Sequence, residues 1–281
     1  MIIKDIKTLR EIIKGEKRRG SSIGFVPTMG YLHEGHLSLI REAKKENDFV
    51  VLSIFVNPIQ FGPNEDLEQY PRDIKRDTEL AKAAGCDLIF NPEVDEVFPK
   101  PLKTKVIVEE LTEPLCGRSR PTHFQGVTTI VSKLFNMVAA DRAYFGQKDA
   151  QQAAVIIKMA EDLNFDIAIT VCPIVREEDG LAMSSRNVML NKEERKQALA
   201  LYGSLELAED MIVKEGILDP QTIIAKMEDF ISDYRLCQID YIEILDFENL
   251  QEIKEIQGKI LIALAVKLGP TRLIDNKIMG V

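Results

Sequence analysis

Along the first 175 residues the apolar positions switch repeatedly between a helical and a strand-like period. Ile6, Leu9, Ile12 and Ile13 fall at helical spacing, and the stretch Ile23 to Val26 that follows is short and β-rich, with Pro27 expected to stop it. The pattern then predicts a helix over His36 to Glu46 with Leu37, Ile40 and Ala43 on one face, a strand over Val50 to Val56, and a loop from Asn57 to Pro71. A helix over Ile74 to Ala84 and a strand over Asp87 to Phe90 come next. Val127, Ile130, Val131, Leu134, Phe135 and Val138 form the strongest amphipathic stripe in the chain. A strand at Ala143 to Phe145, a helix at Asp149 to Leu163 and a strand at Ile167 to Val175 complete the run. Strands separated by helices of this length need right-handed crossovers, which give a mostly parallel sheet covered on both faces. The expected fold is α/β, with a Rossmann-like N-terminal domain over residues 1–175.

Beyond Val175 the alternation ends. A polar, glycine-containing loop from Arg176 to Asn187 leads into two expected helices, one capped by Asn191 with Glu194 and one by Asp219 ahead of Pro220. Two strands are expected, near Ile239 to Leu245 and Lys259 to Val266. Helices followed by adjacent strands suggest a smaller α+β C-terminal domain over residues 176–281.

Composition narrows the functional classes. The 281 residues are 45% hydrophobic and 29% charged, a globular balance with ample length for a core. Thirty-six basic and forty-five acidic side chains leave a net charge of -9, which repels nucleic acid and anionic membranes at long range. A small anionic substrate needs only a few local donors and stays open. Cys86, Cys116, Cys172 and Cys237 are too scattered for a disulfide framework or a zinc site, and no apolar run is long enough to span a membrane. With charge where a signal peptide would need its apolar stretch, the expected compartment is the cytoplasm.

Three clusters carry candidate chemistry. Two of the three histidines stand in Met29, Gly30, Tyr31, Leu32, His33, Glu34, Gly35 and His36, between a strand and a helix. Such a turn directs backbone N–H groups and the positive end of a helix dipole at the sheet edge, an anion site to which two imidazoles add donors. The spacing does not fit a zinc protease, whose histidines stand four apart on an unbroken helix. Gly146, Gln147, Lys148 and Asp149 lie at a later strand end; a lysine there suits phosphate and an aspartate suits Mg²⁺ through water, although such a pair also serves as an ordinary helix cap. Met183, Ser184, Ser185 and Arg186 place two hydroxyls and a guanidinium on the loop after Gly180, either to wrap a triphosphate or as a solvated turn.

In this order the clusters resemble the nucleotidyltransferase superfamily with its H-x-G-H motif. More narrowly, Phe25 to His36, Phe55 to Phe61, Tyr70 to Asp73, Arg120 to Val127, Gly146 to Gln152 and Gly180 to Asn187 resemble the pantothenate synthetase family. The resemblance spans nearly the whole chain. It implies an AMP-forming ligase that joins pantoate to β-alanine with ATP and Mg²⁺ through a pantoyl adenylate. It further implies that Met29 to His36, Gly146 to Asp149, Val175 and Met183 to Arg186 hold ATP, with His33, His36, Lys148 and Arg186 catalytic and His36 the proton donor. Gln60 and Gln152 would hold pantoate, Gln60 would also meet β-alanine, and Asp149 would reach the metal through water. A homodimer formed mainly through the first domain is implied as well. The loops around His123 and Met183 are expected to close as lids, with a structural, hydrogen-bonded role for His123 as the alternative. A nucleotidyltransferase that keeps AMP in its product shares the H-x-G-H turn, but the Gln60 loop and the second domain favour the ligase; a nonenzymatic ATP-binding regulator would have no need for a second-substrate pocket.

Overall fold

The computed structural model describes residues 1–63, 65 and 67–280; positions 64 and 66 of the expected 57–71 loop, and position 281, lie outside the described residues. The helices and strands run β1 (Ile2–Ile3), α1 (Ile6–Arg18), β2 (Ile23–Thr28), α2 (Glu34–Glu46), β3 (Phe49–Ile54), α3 (Ile74–Ala83), β4 (Leu88–Phe90) and α4 (Val94–Val97). They continue as α5 (Cys116–Ser119), α6 (His123–Val138), β5 (Arg142–Gly146), α7 (Ala150–Asp162) and β6 (Ala168–Cys172). The chain then forms α8 (Lys192–Gln197), α9 (Leu199–Val213), α10 (Pro220–Ser232), β7 (Cys237–Asp246), β8 (Lys259–Leu268) and β9 (Thr271–Gly280).

Contacts divide the chain into two compact units. The first comprises residues 1–109, 120–147 and 152–173, the second 110–119, 148–151 and 174–281. The partition is thus not one cut near residue 175: α5 and the start of α7 group with the C-terminal elements.

The first unit is a parallel sheet in the order β1-β4-β3-β2-β5-β6. From β2 the chain builds outward through β3 and β4, then returns to add β5 on the other side of β2. The carboxyl ends of β2 and β5 therefore flank the point where strand order reverses, the place where open α/β sheets bind ligands. Alternation within β2 sorts the two faces: Phe25 packs with Leu134, Phe135 and Ile156, whereas Val26 packs with Leu37, Ile40 and Ala43 of α2. Each such fully buried side chain contributes about 1.5–3 kcal/mol. Contrary to the expected stop, β2 runs through Pro27. Its β5 neighbour pairs only with Gly24 and Phe25, so the missing N–H falls where that ladder has ended.

The second unit packs α9 and α10 against the antiparallel sheet β7-β8-β9. Asn191 and Glu194 form the expected capping box, and Asp219 accepts from the Thr222 N–H ahead of the Pro220 helix. Two expectations are corrected. The first helix is broken at Ala198 into α8 and α9, and a third strand, β9, follows the two expected ones. Asp275 and Asn276 are both buried in the middle of β9, and these polar residues interrupt the apolar alternation by which a strand is read from sequence.

Candidate active site

The Met29 to His36 turn leaves the carboxyl end of β2 with Gly30 and Tyr31 both at positive φ, +85° and +51°. A side chain at Gly30 would meet Ile54 at 2.9 Å and Asp77 at 3.1 Å, so this glycine is demanded by packing as well as by backbone conformation. Asp77, on α3 and buried, accepts from the N–H groups of Tyr31 and Leu32 at 2.7 Å each. Burial raises its carboxyl above the usual range, the two N–H bonds pulling the other way. The Arg76 guanidinium lies 5.0 Å from the Tyr31 ring centre, so neighbouring residues of α3 hold Tyr31 by backbone and by ring.

His33 is the N-cap of α2, which starts two residues earlier than expected. Its Nδ1 accepts the Gly35 N–H at 3.2 Å, and His36 Nδ1 accepts the His33 N–H at 3.3 Å, completing a capping box made of imidazoles. A neutral imidazole accepting at Nδ1 carries its proton on Nε2. Both rings, with centroids 4.0 Å apart, are therefore Nε2–H donors. The expectation that the turn's backbone N–H groups serve an anion is corrected: those of Gly30, Tyr31, Leu32, His33 and Gly35 are spent on Thr28, Asp77, His36 and His33. Glu34 is directed elsewhere, its carboxylate held below the usual range by a hydrogen bond from Arg41 along α2.

Gln60 closes a one-turn 3-10 helix, Pro58–Gln60, after β3 and is buried. Its Oε1 accepts from Asn57 at 3.0 Å and its Nε2 donates to the Met29 sulfur at 2.9 Å, tying this turn to the histidine turn. Gly126 explains how α6 reaches it: a Cβ there would stand 2.4 Å from the Gln60 Cα and the Ile59 carbonyl. His123 Nδ1 lies 3.0 Å from the Gln60 carbonyl, and Arg120 pairs with Glu65. His123 thus holds the Gln60 backbone, the structural alternative. Burial pushes the Glu65 carboxyl up, but the Arg120 hydrogen bond and charge outweigh it and leave it below the usual range.

At the end of β5, a Cβ at Gly146 would meet no protein atom within 4 Å, which leaves open space at the sheet's carboxyl edge. Gln147 follows in a 3-10 turn, and Gln152, half-buried, lies on the first turn of α7.

In the second unit, Lys148 and Asp149 pair at 3.6 Å, with Lys148 the more buried. The loop after Val175 is a hairpin tied by the Met183 N–H to the Val175 carbonyl at 3.0 Å and by a bridge between Arg176 and Ala182. Arg176 makes a bidentate pair with Asp275 at 2.6 and 3.0 Å, while Asn187 reaches both Glu177 and the Ala182 carbonyl. Met183 to Arg186 thus follow a densely bonded hairpin. Ser184 caps a 3-10 helix by accepting the Arg186 N–H at 3.2 Å, and Ser185 is buried. Sequence reasoning missed Asp77, Asp275 and Asn276, whose contacts lie far away in the chain or on backbone atoms, and it gave no role to Asn57 although Asn57 lies within the Phe55 to Phe61 segment.

A family model described as pantoate-beta-alanine ligase matches residues 1–278. The chain is 57% identical to the pantothenate synthetase of Caldicellulosiruptor bescii over 98% of each chain, and 57% identical to that of Acetivibrio thermocellus over 100% of this chain and 99% of the relative. It superposes on the crystal structure of pantothenate synthetase from Thermus thermophilus with a TM-score of 0.93 at 42% identity, covering 98% of both chains. Pantoate-beta-alanine ligase from Francisella tularensis, crystallised with β-γ ATP and β-alanine, matches with a TM-score of 0.82 at 34% identity, over 99% of this chain and 97% of that one.

Proposed function

Since the chain belongs to the pantoate-β-alanine ligase family, we propose that it joins pantoate to β-alanine using ATP, through an enzyme-bound pantoyl adenylate, releasing pyrophosphate and AMP. The observation that carries this reading is the imidazole capping box, which presents two Nε2–H donors at the carboxyl end of the strand where sheet order reverses. A carboxylate does not acylate an amine at neutral pH. One pantoate carboxylate oxygen therefore attacks the α-phosphorus and pyrophosphate leaves; the β-alanine amine then attacks the mixed anhydride carbonyl and AMP leaves. Both steps develop anionic oxygen, which preorganised donors stabilise without reorganisation.

Within the first unit, Met29 to His36, Gly146 and Gln147 hold ATP, His33 and His36 donate to phosphate oxygens, and His36 supplies the proton. Gln60 and Gln152 bind pantoate. Gln60 Nε2 now donates to a thioether sulfur, a weak acceptor that a substrate oxygen readily replaces, and the same amide meets β-alanine. Within the second unit, Lys148, Asp149, Val175, Met183, Ser184, Ser185 and Arg186 complete the nucleotide set, with Lys148 and Arg186 catalytic through their charge.

No group of three or more metal-binding side chains clusters among the described residues. Mg²⁺ keeps several waters and takes one or two carboxylates plus substrate phosphates. Half-exposed Asp149 fits such a water-mediated contact, and the ion would neutralise phosphate charge.

We also propose a cytoplasmic homodimer. All four cysteines are free thiols, and β6 ends the sheet with Ala168 and Val171 exposed on its edge. No helix among the described residues is long and apolar enough to cross a membrane.

Isotope exchange tests the adenylate. Enzyme, ATP and pantoate without β-alanine should exchange labelled pyrophosphate into ATP, and Gln60→Ala should abolish the exchange because pantoate is no longer oriented. Absence of exchange in the wild type, with pyrophosphate shown to be released, refutes the stepwise scheme. A product that retains the AMP moiety places the protein with the nucleotidyltransferases instead.

A further inference from the structure

Two adjacent side chains on the last strand are tied to both second-unit segments of the proposed nucleotide set. Asn276 Nδ2 donates to the Lys148 carbonyl at 2.9 Å, across 128 residues of chain. Asp275 takes both Arg176 nitrogens, at 2.6 and 3.0 Å, across 99 residues. Arg176 in turn donates to the Gly180 carbonyl at 3.0 Å and stacks 4.6 Å from the Tyr202 ring centre, so one guanidinium braces the hairpin that carries Met183 to Arg186. The dipeptide also braces itself. The Asn276 backbone N–H donates to Asp275 Oδ1 at 2.8 Å, and the same oxygen accepts from Arg176, so the Asp275 carboxylate is held from both sides.

From this arrangement we infer that Asn276 and Asp275 are positioning residues for nucleotide chemistry: Asn276 holds the Lys148 backbone so that the ammonium is aimed, and Asp275 sets the hairpin behind Ser184, Ser185 and Arg186. Neither touches substrate. The inference rests on the roles proposed above for Lys148 and the hairpin. Its physical basis is that a buried ion pair is seldom the most stabilising way to fill an interior, while a fully bonded one fixes geometry. Asp275 is 2% exposed and Asn276 3%, at the centre of a strand whose neighbour β8 buries Ile262, Leu264 and Val266 in the apolar core. Lys148 lies on a short 3-10 turn, and if its backbone drifts, the four rotatable side-chain bonds can re-aim the ammonium only by giving up conformational freedom. Displacements of about 1 Å cost on the order of a hundredfold in positioned reactions.

The test is a double-mutant cycle on the complete chain, read by pyrophosphate exchange at saturating ATP and pantoate. Asn276→Ala should slow exchange by about tenfold or more while leaving ATP binding comparatively little changed. In a Lys148→Ala background, itself about a hundredfold slow, the same substitution should change the rate by less than about twofold, because there is no ammonium left to aim. Equal losses in both backgrounds would mean general loosening and would overturn the inference. So would an Asn276→Ala enzyme of wild-type rate. Lys148→Ala within about threefold of wild type would instead sink the proposed role of Lys148, and the inference with it. Asp275→Asn should also slow exchange, but it places an amide against Arg176 and can unfold the unit, so Asn276 is the deciding position.

Discussion

Asp77 illustrates how much one side chain decides. With two N–H donors on one buried carboxylate, it holds a turn whose Tyr31 sits in a backbone region that few non-glycine residues adopt. Asp77→Asn supplies one acceptor for two donors and should cost about 1–3 kcal/mol of stability, seen in denaturant melts, together with a raised KM for ATP. His33 and His36 have two duties each. His36→Ala should raise the adenylation barrier by about 3 kcal/mol, whereas His33→Ala should in addition lower stability by about 1 kcal/mol because it uncaps α2. Single-turnover rates within about threefold of wild type would remove either ring from the chemistry. The thiols form a control: burial pushes Cys86, Cys172 and Cys237 up to about 11, so iodoacetamide at neutral pH should leave these three unmodified in the native protein.

Among elements, the contact of α6 with the Pro58–Gln60 turn is the most sensitive. Gly126→Ala places a methyl 2.4 Å from main-chain atoms, which cannot rotate away, so helix and turn must part. The expected result is a loss of about 1–3 kcal/mol and a raised KM for pantoate, since the turn presents Gln60. An unchanged melting temperature would show that the two elements slide past one another freely. The Arg120 to Glu65 tie crosses the same contact and brings a pH dependence. The folded carboxyl titrates below its ordinary value of 4.5, so its stabilisation is complete above that pH and is lost as pH falls through the folded value. Wild type should therefore lose more stability on acidification than Glu65→Gln, and parallel acid limbs in thermal melts would contradict the assignment.

For the whole molecule, the sheet edge at β6 bears on assembly. An edge strand with Ala168 and Val171 exposed is a liability that pairing with a second copy removes, and light scattering at micromolar concentration should give twice the chain mass of 31.7 kDa. A mass of one chain would refute the dimer. The units differ in how openly they were written. The parallel sheet was legible because local periodicity and strand–helix alternation are both short-range, and right-handed crossovers leave few topologies. β9 was not, because Asp275 and Asn276 occupy buried positions and are bonded to residues more than ninety positions away.

The sequence by itself determined the α/β class, the three chemical clusters and the family, since each is carried by residue type and spacing along a few tens of residues. Tertiary structure alone decided which partners the atoms of those clusters meet within the protein. The histidine turn reads in sequence as a cradle of backbone donors, yet α3 brings Asp77 against it and takes up the Tyr31 and Leu32 N–H groups. The hairpin at Met183 reads in sequence as a polar loop, and only the fold shows that Arg176 ties it to Asp275 of β9. In both cases the deciding partner is a buried carboxylate on a distant element. Residue spacing predicts who is near along the chain; hydrogen-bond satisfaction in the folded interior depends on who is near in space.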